Sequence, residues 1–213
     1  MKVEFFQKPD TFKENWPEEF TMFSWQEFLT AIPSPLFVAT TWKANGKENA
    51  CLQSWSTFVG DAGKFTCILG AVNSRGHFYR TLKETGVCVL NFPSRDVYDK
   101  CAATIKNNAY KDDEITKSGL TAEKAMGVNA PRIKECFLNI ECEYLWEHEI
   151  FTWSKDFTVA LKAVHICMDT GKTDEKGVGR YGKTGYMYNI HSPRNGVTGE
   201  TLPDCFGALE KYY

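Results

Sequence analysis

The chain has 213 residues, of which 43% are apolar and 14% aromatic, so it can bury a substantial core without metals or disulfides. Its formal net charge of -2, with acidic and basic residues interspersed, excludes an obvious nucleic-acid patch or polybasic membrane surface. The charged N-terminal stretch lacks the apolar core of a signal peptide, and no apolar run approaches the ~20 residues of a membrane helix. We therefore expect neither nucleic acid nor membrane among its partners.

The eight cysteines contain no Cys-x-x-Cys pair, so the sequence predicts no zinc or iron–sulfur site. No pair of histidines has metal-ligand spacing either, and we expect no bound metal. Several cysteines lie in strand-like runs, which is typical of buried thiols that act as small apolar side chains. Reduced thiols in turn predict a cytoplasmic location.

The N-terminal residues 1–30 are aromatic-rich and irregular apart from a short helix predicted at "SWQEFLTAI". We interpret them as an arm packed on a main domain formed by residues 31–213. Two strands follow, near Leu36–Trp42 and Ala50–Phe58. Between them Asn45-Gly46 predicts a hairpin with a type I′ turn, because both residues tolerate positive φ.

Two further strands are predicted at Phe65–Val72 and Gly86–Phe92. The four-residue spacing of Phe78 and Leu82 between them indicates a short helix, which Asn73 or Ser74 could cap. Helices are also predicted from Arg95 to about Asn108 and at "TAEKAMG".

The clearest strand lies in "IKECFLNIECEYLWEHE", where apolar even positions from Cys136 to Trp146 alternate with the polar residues Glu135, Asn139, Glu141, Glu143 and Glu147. Period two over this length is typical of a half-buried antiparallel strand. A partner strand is predicted at "FTVALKAVHICMD". Six or seven antiparallel strands with a few short helices predict an α+β, mainly β fold built on a β-barrel.

The strand that ends at Val72 runs into a donor-rich turn, Asn73 to His77, and then into a helix. The first turn of a helix has unpaired N–H groups and partial positive charge, which favour a phosphate. Gly76 permits close approach of a ligand to the backbone, and Arg75 offers a planar fork that matches phosphate oxygens. An ordinary surface turn remains the alternative interpretation.

The run "QSWST", Gln53 to Thr57, breaks the expected alternation with hydroxyls and an amide around an indole. Such groups are costly in a core unless each has a partner. They suit a flat heteroaromatic ligand, although a wet barrel rim would also explain them. Together with the donor-rich turn they point to a flavin phosphate.

The segments "IPSPLFVATTWKANGKENACLQSWSTF", "ETGVCVLNFPS", "DDEITKSGLTAEKA", "APRIKECFLNIECEY" and "RYGKTGYMYNIHSPRNGVTGE" resemble the flavin reductase-like, FMN-binding split-barrel family, close to its flavoredoxin branch. The likeness extends from about residue 30 to about residue 200. It implies an antiparallel Greek-key split barrel and an FMN-containing homodimer with the flavin near the subunit interface.

By position, the resemblance implies two groups of cofactor-binding residues. Those around the isoalloxazine and ribityl chain are Asn49, Ala50, Ser54, Trp55, Ser56 and Thr57, and those near the phosphate are Asn73, Ser74, Arg75, His77 and Asn91. The chain departs from relatives at Phe78, which stands where they often carry a threonine whose hydroxyl could reach the phosphate.

The functional hypothesis is an FMN-dependent oxidoreductase in which NADH or NADPH reduces bound FMN and the electrons pass to free flavin or another acceptor. The hydride step needs no side-chain acid or base, so we assign no catalytic residue. No Gly-x-Gly-x-x-Gly fingerprint is present, so a nicotinamide would have to bind without a Rossmann module.

One alternative is a non-enzymatic, flavoredoxin-like electron carrier reduced by a protein partner. Another is a barrel with a different ligand or a structural role. The loop containing His191 and Arg194 is either an ordered surface loop or a segment that closes over the flavin.

Overall fold

The computed structural model describes residues 2–172 and 185–209. The helices are α1 (Glu19–Met22), α2 (Trp25–Thr30), α3 (His77–Thr85), α4 (Arg95–Ala103) and α5 (Glu114–Lys117), with a 3-10 turn at Thr170–Lys172. The strands are β1 (Ser34–Pro35), β2 (Phe37–Trp42), β3 (Glu48–Gln53), β4 (Ser56–Asp61), β5 (Lys64–Asn73), β6 (Val87–Phe92), β7 (Ala122–Lys124), β8 (Pro131–Ile133), β9 (Leu138–Glu149), β10 (Asp156–Met168), β11 (Met187–Asn189) and β12 (Phe206–Ala208).

The main element is a seven-stranded sheet in the order β3-β2-β6-β9-β10-β5-β4. Every neighbouring pair is antiparallel, and its inner face encloses an apolar cluster that includes Phe37, Leu69, Leu90 and Leu161. The chain crosses from β5 to β6 through α3, so β6 lies between β2 and β9 in Greek-key manner. This confirms the predicted antiparallel split barrel.

The two edge strands β3 and β4 are consecutive in the chain and are joined only by Ser54 and Trp55. The predicted single strand Ala50–Phe58 is therefore wrong. The polar run that interrupts its alternation marks the corner at which the chain leaves one edge of the sheet and enters the other. A sheet whose edges meet at a corner without pairing is an open barrel, and this gap positions the site described below.

The predicted hairpin between β2 and β3 is confirmed, but its turn is not type I′. Only Gly46 has positive φ, at 79°, whereas Asn45 does not, and the Gly46 N–H donates to the Lys43 carbonyl at 2.9 Å. The loop extends from Lys43 to Lys47 because Trp42 pairs with Glu48. A longer loop with a single left-handed glycine replaces the two-residue turn.

Helix predictions differ from the structure at three points. The N-cap of α3 is Gly76 rather than Asn73 or Ser74, and α4 ends at Ala103. The segment predicted as a helix at "TAEKAMG" contains strand β7, which pairs with β8. Pairing between the two short strands satisfies the backbone there in place of intrahelical hydrogen bonds.

The alternation of β9 holds on its inner face from Leu138 to Tyr144 but not at Trp146, which is 40% exposed. Its outer face is buried as well at Asn139 and Glu141. Glu141 accepts hydrogen bonds from the N–H groups of Met126 and Gly127, so the loop between β7 and β8 covers that face. Polar residues at odd positions therefore mark a hydrogen-bonded layer here rather than a solvated one.

The described residues divide into two compact units, one of residues 35–187 and 208 onward, the other of residues up to 34 together with 188–207. In the second unit Arg194 Nη2 lies 3.0 Å from the Glu19 carboxylate, and both side chains are buried. This contact joins residues 175 positions apart, which the predicted boundary at residue 30 did not anticipate. The packing of the N-terminal arm on the barrel stays a prediction. Within the described part of the chain, no helix is long and apolar enough to cross a membrane.

Candidate functional site

A cavity of about 400 Å³ lies at the β3 edge of the barrel. This volume falls within the ~300–1,000 Å³ range of small-molecule sites. The cavity is lined by Asn49, Ala50, Cys51, Leu52, Gln53, Trp55, Ala71, Val72, Asn73, Gly76, His77, Phe78, Tyr79, Thr104, Ile105, Asn108 and Glu114. The walls are thus the edge strand, the corner, the start of α3 and the segment after α4.

The first turn of α3 faces this cavity with its amides available. Gly76 provides no side-chain cap, and the preceding amides are already bonded, Ser74 N–H to the Lys155 carbonyl and Arg75 N–H to Asn73 Oδ1, both at 2.9 Å. Among the described residues no acceptor is found for the N–H groups of His77 and Phe78. A nine-residue helix that begins this way is suited to an anion.

The side chains next to this turn leave room for a ligand. Arg75 is exposed and forms no ion pair within the described ranges, so its guanidinium is available to an anion. Phe78 is 3% exposed and packs in the core of the barrel. Phe78 therefore anchors the start of α3 and contributes only its backbone N–H on the polar side.

Edge strand β3 presents backbone groups to the cavity. The outward amides of Glu48 and Ala50 are bonded, to Asp113 Oδ1 at 3.3 Å and to Glu114 Oε2 at 2.8 Å. Because N–H and C=O alternate in direction along a strand, Leu52 faces the same way and lines the cavity. Its backbone can pair with the polar edge of a planar ligand.

Trp55 lines the cavity from the corner between the two edge strands. Its carbonyl accepts the Gly70 N–H at 2.7 Å, and a Cβ at Gly70 would lie 3.4 Å from the Trp55 Cβ. A side chain at position 70 would thus only touch Trp55, and the backbone hydrogen bond is what holds the half-buried residue at the wall. An indole in this position can stack on a flat ring.

The predicted site residues separate into two groups. The cavity is lined by Asn49, Ala50, Trp55, Asn73 and His77, and it is not lined by Ser54, Ser56, Thr57, Ser74, Arg75 or Asn91. Ser54 is buried at the corner, whereas Thr57 is exposed on β4. The hydroxyls of "QSWST" thus do not form one continuous platform.

Asn91 requires a correction, because the structure places it in the core rather than near the phosphate turn. It is fully buried and donates to the Val38 carbonyl at 2.8 Å. Its Oδ1 accepts hydrogen bonds from Ile133 N and Asn139 Nδ2, each at 2.8 Å. All of these partners are structural, so Asn91 joins β2, β6 and β9.

Two charged residues at the cavity were missed in the sequence, Glu114 in its wall and Lys43 behind it. Their side chains are 1% and 0% exposed, and Glu114 Oε1 lies 2.8 Å from Lys43 Nζ. Glu114 stands in the charged run "DDEITK", which looks like a solvated surface. No local signal distinguishes it, because its partner comes from the distant β2–β3 loop.

Two ionisable groups in the wall, Cys51 and Tyr79, favour their neutral forms. Burial raises the pKa of Cys51 to about 11, although a hydrogen bond from Gln53 opposes the shift. Burial and a 3.0 Å hydrogen bond to Glu147 raise the pKa of Tyr79. Neither group supplies a thiolate or phenolate at neutral pH, and the described residues contain no cluster of three potential metal ligands.

The loop singled out for His191 lies in the other unit. His191 Nδ1 is 3.2 Å from Glu27 Oε1, and Arg194 is held by Glu19. Burial lowers the pKa of His191, while the Glu27 carboxylate opposes the shift. These contacts give Arg194 a structural role, and the closing of this loop over a ligand stays a prediction.

Comparison with curated proteins finds a relative from Aquifex aeolicus (strain VF5), described as an uncharacterized protein. It is 29% identical over 115 residues, which are 53% of this chain and 59% of that protein. The match thus spans less than two thirds of the relative's length.

Several solved structures share the fold. Nitrilotriacetate monooxygenase component B from Bacillus cereus superposes with a TM-score of 0.77 at 15% identity, covering 100% of this chain and 99% of that one. Flavoredoxin of Desulfovibrio vulgaris (Miyazaki F) gives 0.71 at 16% identity over 85% and 89%. An FMN-binding protein from Thermus thermophilus gives 0.66 at 15% identity over 100% and 99%. Identities this low establish the fold alone.

The family is established by the sequence match. Residues 29–186, which include the barrel strands β2 to β10 and every residue that lines the cavity, match the flavin reductase like domain. The chain therefore belongs to the flavin reductase-like family.

Proposed function

We propose that this protein binds FMN in the β3-edge cavity and acts as an oxidoreductase that passes electrons from NADH or NADPH to free flavin or another acceptor. The observation that carries the proposal is the first turn of α3, which offers the N–H groups of His77 and Phe78 to the cavity without a side-chain cap. The anion-binding turn suits the phosphate of a flavin phosphate, the indole suits the face of its ring, and the open strand edge suits the polar edge of that ring.

Different residues would bind the different parts of FMN. The α3 amides and Arg75 would hold the phosphate, the Leu52 backbone would pair with the polar ring edge, and Trp55 would cover one ring face. Bound FMN would supply the redox chemistry, as cofactors do in such proteins. The raised pKa of Cys51 keeps a neutral thiol beside it, so the protein wall adds no competing nucleophile.

A second candidate function is a non-enzymatic FMN electron carrier that is reduced by a protein partner. The fold shared with a flavoredoxin and the lack of a dinucleotide-binding fingerprint in the sequence favour it. Both candidates use the same cavity and differ only in the electron donor.

The test is a visible spectrum of the purified protein, followed by anaerobic titration with NADH and then NADPH. Flavin bands, present or restored by added FMN, that bleach rapidly with either nucleotide would support the oxidoreductase. Bands that persist until dithionite is added would favour the electron carrier. A protein that takes up no FMN would contradict both.

We further propose a cytoplasmic location. All eight cysteines are free, and Cys67, Cys88, Cys101, Cys136 and Cys142 are buried. Chains with many unpaired thiols are typical of reducing compartments.

A further inference from the structure

The wall of the cavity contains a charged carboxylate whose hydrogen bonding is incomplete. Glu114 is 1% exposed, and its Oε2 accepts the Ala50 N–H at 2.8 Å. Its Oε1 forms no hydrogen bond of regular geometry within the described ranges, although Lys43 Nζ lies 2.8 Å away. Incomplete hydrogen bonding of a buried acceptor costs free energy, so a further donor to this oxygen would be stabilising.

Lys43 compensates the charge of Glu114 but shares its protons among several acceptors. The ammonium group has three N–H bonds, and the carbonyls of Ala109, Tyr110 and Asp112 lie within their reach at 3.2, 3.2 and 2.7 Å. Its nitrogen also lies 2.8 Å from Glu114 Oε1, so four acceptors share three protons. The pair is therefore neutral overall, and Oε1 can accept a further hydrogen bond.

The imidazole of His77 is a poor donor to the same oxygen. His77 Nδ1 lies 3.5 Å from Glu114 Oε1, beyond the ~2.7–3.2 Å of an N–H···O bond. This contact nevertheless shows that the carboxylate lies beside the start of α3, because His77 is the first residue of that helix. The open oxygen lies at the end of the cavity where an anion would meet the helix.

We propose that Glu114 Oε1 accepts a hydrogen bond from a hydroxyl of the ligand close to its phosphate. This inference rests on the proposed function, in which the ligand is FMN and the group next to the phosphate is the ribityl chain. Because the Lys43–Glu114 pair is neutral overall, it repels a nearby phosphate less than a lone carboxylate would. A ligand hydroxyl that donates to Oε1 would make the site selective for a polyol phosphate. Glu114 is thus a binding residue that recognises the ribityl chain.

The experiment compares FMN with its 2′-, 3′- and 4′-deoxy analogues by fluorescence titration. The wild-type protein should bind at least one deoxy analogue about 10- to 100-fold more weakly than FMN, the range for a hydrogen bond to a charged group. In Glu114→Gln this ratio should fall to a few-fold. Lys43→Met/Glu114→Gln should behave in the same way, and it removes the unpaired lysine that could prevent the single variant from folding.

Glu48→Gln is the matched control. Glu48 is another buried glutamate, its two oxygens bind Thr116 N and Thr116 Oγ1 at 2.8 Å each, and it does not line the cavity. This variant should keep the wild-type ratio.

Equal affinities for all analogues, or a ratio unchanged by either Glu114 variant, would overturn the assignment. A Glu114-dependent loss seen with 3-methyl-FMN instead would also overturn it, because the carboxylate would then face the ring. If wild-type protein fails to bind FMN itself, the proposed function fails, and the inference falls with it.

Discussion

Arg75 follows Ser74 in the turn before α3, exposed and without an ion pair in the described part of the chain. If it closes on the phosphate, Arg75→Ala should weaken FMN binding by ~1.5 kcal/mol, about tenfold, the low end for a charge-assisted bond because the group is exposed. Fluorescence titration of FMN measures this change. Arg80→Ala, an exposed arginine on α3 that does not line the cavity, should bind like wild type. Equal affinities for the two variants would remove Arg75 from the site.

Trp55 is the aromatic side chain at the corner of the barrel. Trp55→Ala should change the absorption or fluorescence of bound FMN while the far-UV circular dichroism stays the same, because the indole is only half-buried. Trp153→Ala serves as the control, since Trp153 is 78% exposed and does not line the cavity. An unchanged flavin spectrum in Trp55→Ala would make the indole a packing residue only.

At the scale of elements, the start of α3 is a helix terminus kept free of a cap. Gly76→Asp would supply a side chain that accepts the first-turn amides and places negative charge at the anion site. We expect a change in stability below about 1 kcal/mol and FMN binding weakened about tenfold or more.

Gly76→Ala is its control. It adds the same Cβ, 3.2 Å from the Asn73 carbonyl, without the carboxylate. Similar losses of FMN affinity in the two variants would show crowding of the turn rather than competition for the amides.

Strand β9 and the β7–β8 loop are joined through Glu141. Burial raises its pKa, but the hydrogen bonds from Met126 and Gly127 and the His165 contact outweigh burial and lower the pKa below its ordinary value of 4.5. A carboxyl with a lowered folded-state pKa stabilises the fold above its unfolded pKa, and this contribution is lost as pH falls.

The free energy of unfolding, measured with urea, should therefore decrease below about pH 4.5 for wild type and less steeply for Glu141→Gln. Glu143→Gln changes a half-exposed residue of the same strand and should keep the wild-type slope. If Glu141→Gln also keeps that slope, the loop is not held by this carboxylate.

At the scale of the whole molecule, the homodimer implied by family resemblance stays a proposal. Light scattering during size exclusion should give twice the chain mass of 24.2 kDa. The same mass at low micromolar concentration would indicate a stable dimer, and a monomeric mass at all concentrations would contradict the proposal.

The sequence predicted several elements because their signals are local. The alternation of β9, the four-residue spacing in α3 and the Asn45-Gly46 hairpin report the backbone geometry of their own segments. Where packing against distant residues decided the outcome, the predictions were wrong. The "TAEKAMG" segment pairs as a strand, the "QSWST" run breaks at a corner, and Asn91 is buried in a network with Asn139.

By itself, the sequence determined the family, the antiparallel barrel and a donor-rich turn at the start of a helix. Only the tertiary structure decided which donors converge on one cavity, and it added Glu114 and Lys43 to that cavity. The physical reason is that burial and charge pairing depend on neighbours far apart in the chain. The carboxylate of Glu114 looks solvated in its own segment, and it becomes a buried recognition group only because Lys43 and the β3 edge fold against it.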